Sequence, residues 1–246
     1  MVYYKELAAR IKAHYKFDQQ ELGGLVVVVL VTAFIFSFRD WGTDAFDLNS
    51  GLQNLVLMFF VAAISIWFRF TCQKIYGLSQ GLQANFKIWW LGVALALILC
   101  FITLGRLPLI LAGAMVTTFM VKLRLGEFRH GFSYWINGMV GMWGIIGNLI
   151  LALIFATGLS LSPGNYFFGK GLVLNILMAW CALLPLPQLD GFSIFFGSRY
   201  IYYMGIVATA LSTVLLLTKT GWGLGLAWVI LILWGMGYFL ISSEKR

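Results

Sequence analysis

Asp190 lies in the apolar stretch LLPLPQLDGF (183–192), where a carboxylate could hold a metal ion, carry a proton or pair with another side chain. Ionised in such surroundings it costs roughly 3 kcal/mol unless something compensates it. A second polar set follows an apolar run in WFRFTCQK (67–74). Arg69 and Gln73 are four residues apart and leave the same helical face, although an ordinary basic flank of a membrane helix would read the same way. The third is GMVGMWGIIGN (138–148), where Gly138, Gly141, Gly144 and Gly147 allow close backbone approach ahead of Asn148, an amide that needs a partner.

Other chemistries lack their residues. The chain has two histidines, His14 in a charged N-terminal segment and His130 in the basic loop LRLGEFRHG. Glu127-x-x-His130 is half of a zinc-helix motif, whereas a catalytic zinc needs about three protein ligands and an open position. No nucleophile elbow, P-loop or GxGxxG sequence is present. Cys72, Cys100 and Cys181 form no CxxC pair or disulfide framework and read as small core residues. From the residues alone, no catalytic constellation is complete, and no cofactor is expected.

The elements that must position these groups are membrane helices. Hydrophobic residues make up 61% of the 246 residues and charged ones 11%, against about half and a quarter in a soluble domain. The net charge of +8 lies in short loops beside apolar runs, which points to membrane orientation and anionic headgroups, not nucleic acid. Spans are expected near 22–38, 52–68, 134–158, 171–189, 200–217 and 222–242. Between the second and third, 88–121 is broken by Gly105-Arg106 and Pro108, and suits either two spans or one re-entrant hairpin. With both termini cytoplasmic, the inside segments hold Lys5, Arg10, Lys12, Lys16, Arg69, Lys74, Lys87, Lys122, Arg124, Arg129, Arg199, Lys245 and Arg246. Arg39, Lys170 and Lys219 fall outside, and Arg106 is ambiguous. That bias places the chain in the cell membrane with 88–121 returning to the side it left. Residues 1–21 read as an amphipathic cytoplasmic helix lying on the surface, with Tyr4, Leu7, Ala8, Ile11 and Tyr15 on one face. No cleavable signal is visible in them. Residues 22–246 read as one membrane domain, with motifs at 69–74, 144–148 and 185–191.

Taken in order, these motifs resemble the site-2 protease family of intramembrane zinc metalloproteases, in a largely archaeal form with an extra hydrophobic hairpin after the zinc helix. That family carries HExxH, Gly-Pro-x-x-Asn and Pro-x-Pro-x-Leu-Asp-Gly on three core helices. Here Pro185-Leu186-Pro187-Gln188-Leu189-Asp190-Gly191 matches the third, and Gly144-Ile145-Ile146-Gly147-Asn148 matches the second without its proline. Asn175 also resembles the family pattern, as does FDQQELGGLVVVVLVTAFIFSF, and the likeness covers roughly residues 17–200. The first motif departs. Arg69-Phe70-Thr71-Cys72-Gln73-Lys74 stands where the family has HELAHK, and Ala182 replaces an asparagine before the third motif. No HExxH occurs anywhere in the chain.

The resemblance therefore implies an all-α multi-pass membrane protein with a site-2-protease-like helical core and a degenerate site. Arginine has no lone pair to offer a metal, and phenylalanine can neither take nor return a proton. Asp190, Asn148 and Asn175 become vestiges, Arg69, Phe70 and Gln73 the lost positions, and no metal is expected. An Arg69–Asp190 ion pair supported by Gln73 is the expected substitute for the ion; Asp190 capping a helix or facing water is the alternative. The function expected is a pseudoenzyme serving as a membrane scaffold or accessory subunit, with the lipid bilayer and other integral membrane proteins as partners. An active protease with atypical ligands and an ion or proton transporter remain open at this stage.

Overall fold

The computed structural model describes residues 4–42, 46–119, 133–218 and 221–244. Among them are nine helices and two strands: α1 (Tyr4–His14), α2 (Gln19–Ser37), α3 (Leu48–Ser79), β1 (Leu82–Ile88), α4 (Trp90–Ile102), β2 (Gly113–Phe119), α5 (Tyr134–Leu161), α6 (Tyr166–Leu183), α7 (Asp190–Gly197), α8 (Arg199–Leu217) and α9 (Gly221–Glu244). Helices α2, α3, α5, α6 and α8 are long and apolar enough to cross a membrane. The protein is a helical multi-pass membrane protein.

Local chemistry sets the helix starts. Asp18 and Glu21 form a reciprocal capping box at the head of α2, with the Asp18 N–H donating to Glu21 Oε2 at 3.1 Å. Asp47, Ser133, Asn165 and Ser198 cap α3, α5, α6 and α8 by accepting from backbone N–H groups of the first turn. The fourth span expected from hydropathy, 171–189, ends early. Helix α6 stops at Leu183 instead of running to 189, because Pro185 and Pro187 cannot continue its ladder. Exposed residues 184–188 follow, with Gln188 at φ 69°, and the chain re-enters the interior at Leu189 and Asp190.

The segment 88–121 resolves toward the re-entrant form, since α4 has only 13 residues and no second helix follows it among the described residues 103–119. Instead β1 and β2 pair antiparallel, from Leu82 opposite Phe119 to Ile88 opposite Gly113. The period was present in LQANFKI: Leu82, Ala84 and Phe86 are buried, while Gln83, Asn85 and Lys87 are more exposed. Helix α3 runs eleven residues past the expected end of its span, to Ser79. Gly81, at φ +77°, then turns the chain into β1. A Cβ on Gly77 would lie 3.4 Å from that of Ala84, so β1 rests against the end of α3.

Helix α5 packs against α3, α6 and α7. Its glycine row divides between them. A Cβ on Gly138 would approach the Ser193 carbonyl of α7 to 2.9 Å, and one on Gly144 would approach the Gln73 amide of α3 to 2.5 Å. The row thus lies where α3 and α7 converge, and it lets the polar groups of those two helices meet.

Candidate functional site

Asp190 opens α7 at its first helical position and is 3% exposed. Arg69 Nη2 donates to Asp190 Oδ2 at 2.5 Å, and Gln73 Nε2 donates to the same oxygen at 2.8 Å. The Met115 N–H of β2 donates to Oδ1 at 3.3 Å. Arg69 Nη1 also donates to the Met178 carbonyl of α6, at 3.4 Å. Arg69 and Gln73 are themselves buried. The carboxylate thus has one cation and two neutral donors in a buried site, and the guanidinium has a carboxylate and a carbonyl.

Gly191 explains why this motif needs its glycine. A Cβ there would lie 2.5 Å from the carbonyl oxygens of both Leu183 and Leu184, which are backbone atoms that cannot swing aside. The contact packs the start of α7 on the end of α6.

Phe70 is 3% exposed and stacks obliquely on Phe86 of β1, ring centroids 4.5 Å apart, as a packing residue between α3 and the hairpin. Asn175 donates from Nδ2 to Ser65 Oγ and to the Gly171 carbonyl, both at 2.8 Å. It therefore ties α6 to α3 one turn before Arg69 and does not reach Asp190 by a hydrogen bond. Asn148 is fully buried, and neither amide atom has a hydrogen-bond partner among the described residues. The partner expected from its amide is not there. His14 is exposed on α1, while Glu127 and His130 lie outside the described residues.

These side chains do not fit a zinc ion. Asp190 is the one metal-ligating carboxylate of the set, both its oxygens are engaged, and a permanent cation contacts it. Among the described residues no three His, Cys, Asp or Glu side chains cluster as a metal site.

A second buried ion pair stands five residues along α3. Lys74 Nζ bonds Glu21 Oε2 at 3.0 Å with both side chains at most 5% exposed. The ammonium also donates to the Lys16 carbonyl at 3.0 Å and sits 4.4 Å from the centre of the Phe17 ring. Glu21 Oε1 accepts the Phe86 N–H of β1 at 2.5 Å. Sequence reading assigned Lys74 to a basic flank and Glu21 to the end of a surface helix. The capping-box spacing Asp18-x-x-Glu21 was a visible signal, but it did not reveal that the same glutamate reaches a lysine on the next helix.

No family model matches the chain, and no solved structure matches it. Among curated proteins it is similar to one from Methanocaldococcus jannaschii named "putative zinc metalloprotease". The two are 24% identical over 185 residues, covering 72% of this chain and 84% of the other.

Proposed function

We propose that the chain is a non-catalytic homologue of intramembrane zinc metalloproteases, acting as a membrane scaffold or accessory subunit that binds other membrane proteins. The similarity to the archaeal protein named for zinc metalloprotease activity supports the ancestry. The contact between Arg69 and Asp190 carries the loss of activity. A guanidinium bonded to the motif's carboxylate supplies the positive charge that a metal would otherwise bring, and it cannot lower the pKa of a water as zinc does. Phe70, packed on Phe86, has no group to exchange a proton with a leaving amine. What remains is a helical bundle with an apolar exterior, suited to holding other membrane segments. The basic residues favour cytoplasmic termini.

Two measurements test this. In the first, zinc is determined by mass spectrometry on purified wild type and on R69H/F70E/Q73H, which rebuilds the lost motif. Wild type is expected to hold essentially none, and the rebuilt chain about one per molecule, lost again with D190A. A wild-type protein that retains about one zinc, released by D190A, overturns the reading. In the second, extraction from native membranes in mild detergent is expected to bring a defined membrane protein with the chain. Recovery of the folded chain alone counts against the scaffold role.

A further inference from the structure

Phe86 and Met115 face each other across the hairpin, and both N–H groups point outward, away from the ladder. Each is captured by a buried carboxylate. Glu21 holds the β1 edge and Asp190 the β2 edge, and each carboxylate is paired with a cation of α3. An exposed strand edge in a membrane protein must be satisfied by something. Here the same register position is satisfied on both sides.

Beneath the hairpin lies a cavity of about 20 Å³, room for roughly one water molecule. Arg69, Phe70, Met178 and Ala182 form its floor and walls, and Ile110 and Gly113 of the hairpin help to close it. We propose that residues 82–119 form a hinged lid over the Arg69 side of the core, and that the Asp190 edge is the one that releases.

The asymmetry of the two edges assigns the direction. On the β1 side the Phe86 N–H donates to Glu21, which is fixed by Lys74 and by the Asp18 N–H. Strand β1 also leaves α3 directly through Gln80 and Gly81. On the β2 side the Met115 bond is 3.3 Å. Two other polar contacts hold that side. The Ile110 N–H donates to Cys181 Sγ at 3.4 Å, a weak acceptor, and Thr117 Oγ1 donates to Asn137 Oδ1 at 3.0 Å. Rotation about the β1 edge breaks these three bonds, uncovers Cys181 and opens the cavity to Asp190 and Arg69. Glu21 and Lys74 stay seated as the hinge.

Cys181 is 3% exposed and serves as the native reporter. In a C72A/C100A background of the full chain, its alkylation rate in detergent is measured for the parent, M115A and M115P. Proline removes the N–H that reaches Asp190 without breaking a bond to β1, and proline is tolerated at such an edge position. M115A controls for the lost side chain. M115P is expected to label Cys181 roughly tenfold faster than M115A, the weight of one backbone bond to a carboxylate. R69M/D190A, which deletes the latch with its counter-ion, should accelerate labelling to a similar degree. The general fold is read from A152C in a C72A/C100A/C181A background, since Ala152 is fully buried in α5. Equal Cys181 rates in M115P and M115A overturn the lid, and so does an equal acceleration at position 152, which would mean that the whole bundle loosens.

Discussion

The Arg69–Asp190 pair makes a quantitative prediction that a double-mutant cycle can test. Its side chains are 7% and 3% exposed, so screening by water is slight and removing one partner strands a charge in the interior. Deletions of that kind cost about 3–5 kcal/mol. The structure orders the two single variants within the range. In R69A the carboxylate keeps the Gln73 amide and the Met115 N–H, so the loss should be near 3 kcal/mol. In D190A the guanidinium keeps only the Met178 carbonyl at 3.4 Å, so the loss should be near 5 kcal/mol. R69A/D190A strands no charge and should cost less than D190A alone, giving a coupling of about 3 kcal/mol or more. The assay is equilibrium unfolding in mixed dodecyl sulfate and non-ionic micelles, followed by circular dichroism. Single losses that sum to the double within about 0.5 kcal/mol would refute the interaction. A reversed order of the singles would refute the accounting of residual partners.

The same assay checks two further sites. K74M should cost about 3–5 kcal/mol, because Glu21 is then buried without a cation, and E21Q/K74M should recover much of that loss; additive effects would remove the second pair as a coupled unit. G191A should cost about 1–3 kcal/mol or more and G144A less, since the first meets fixed carbonyls and the second the end of a side chain, whereas G23A, with open space around its Cβ, should stabilise α2 by about 0.5–1 kcal/mol.

The long helices were legible in the sequence because apolar length is a direct consequence of bilayer thickness. The polar residues of the site were legible too, since Arg69, Gln73 and Asp190 are conspicuous in apolar surroundings. Their pairing was an expectation drawn from the resemblance; the residues alone did not place α3 beside α7, an approach that depends on the α5 glycines. A hairpin was one of two readings of 88–121, but its strand pairing was not read, for a different reason. Its strands are short and flank the apolar α4, so the hydropathy of 88–121 reads as membrane-crossing even though LQANFKI alternates. Asn148 shows the converse limit. Residue type demanded a hydrogen bond, and among the described residues neither amide atom has one.

Both buried cations ride on α3, and their counter-ions enter the chain at different times. Glu21 precedes Lys74 by 53 residues, so that pair is available as soon as α3 emerges. Asp190 follows Arg69 by 121 residues. At a synthesis rate of about 5–20 residues per second, the arginine waits on the order of ten seconds for its carboxylate. During biogenesis α3 must therefore shelter a naked guanidinium, in the insertion machinery or at the headgroup level, until Asp190 arrives.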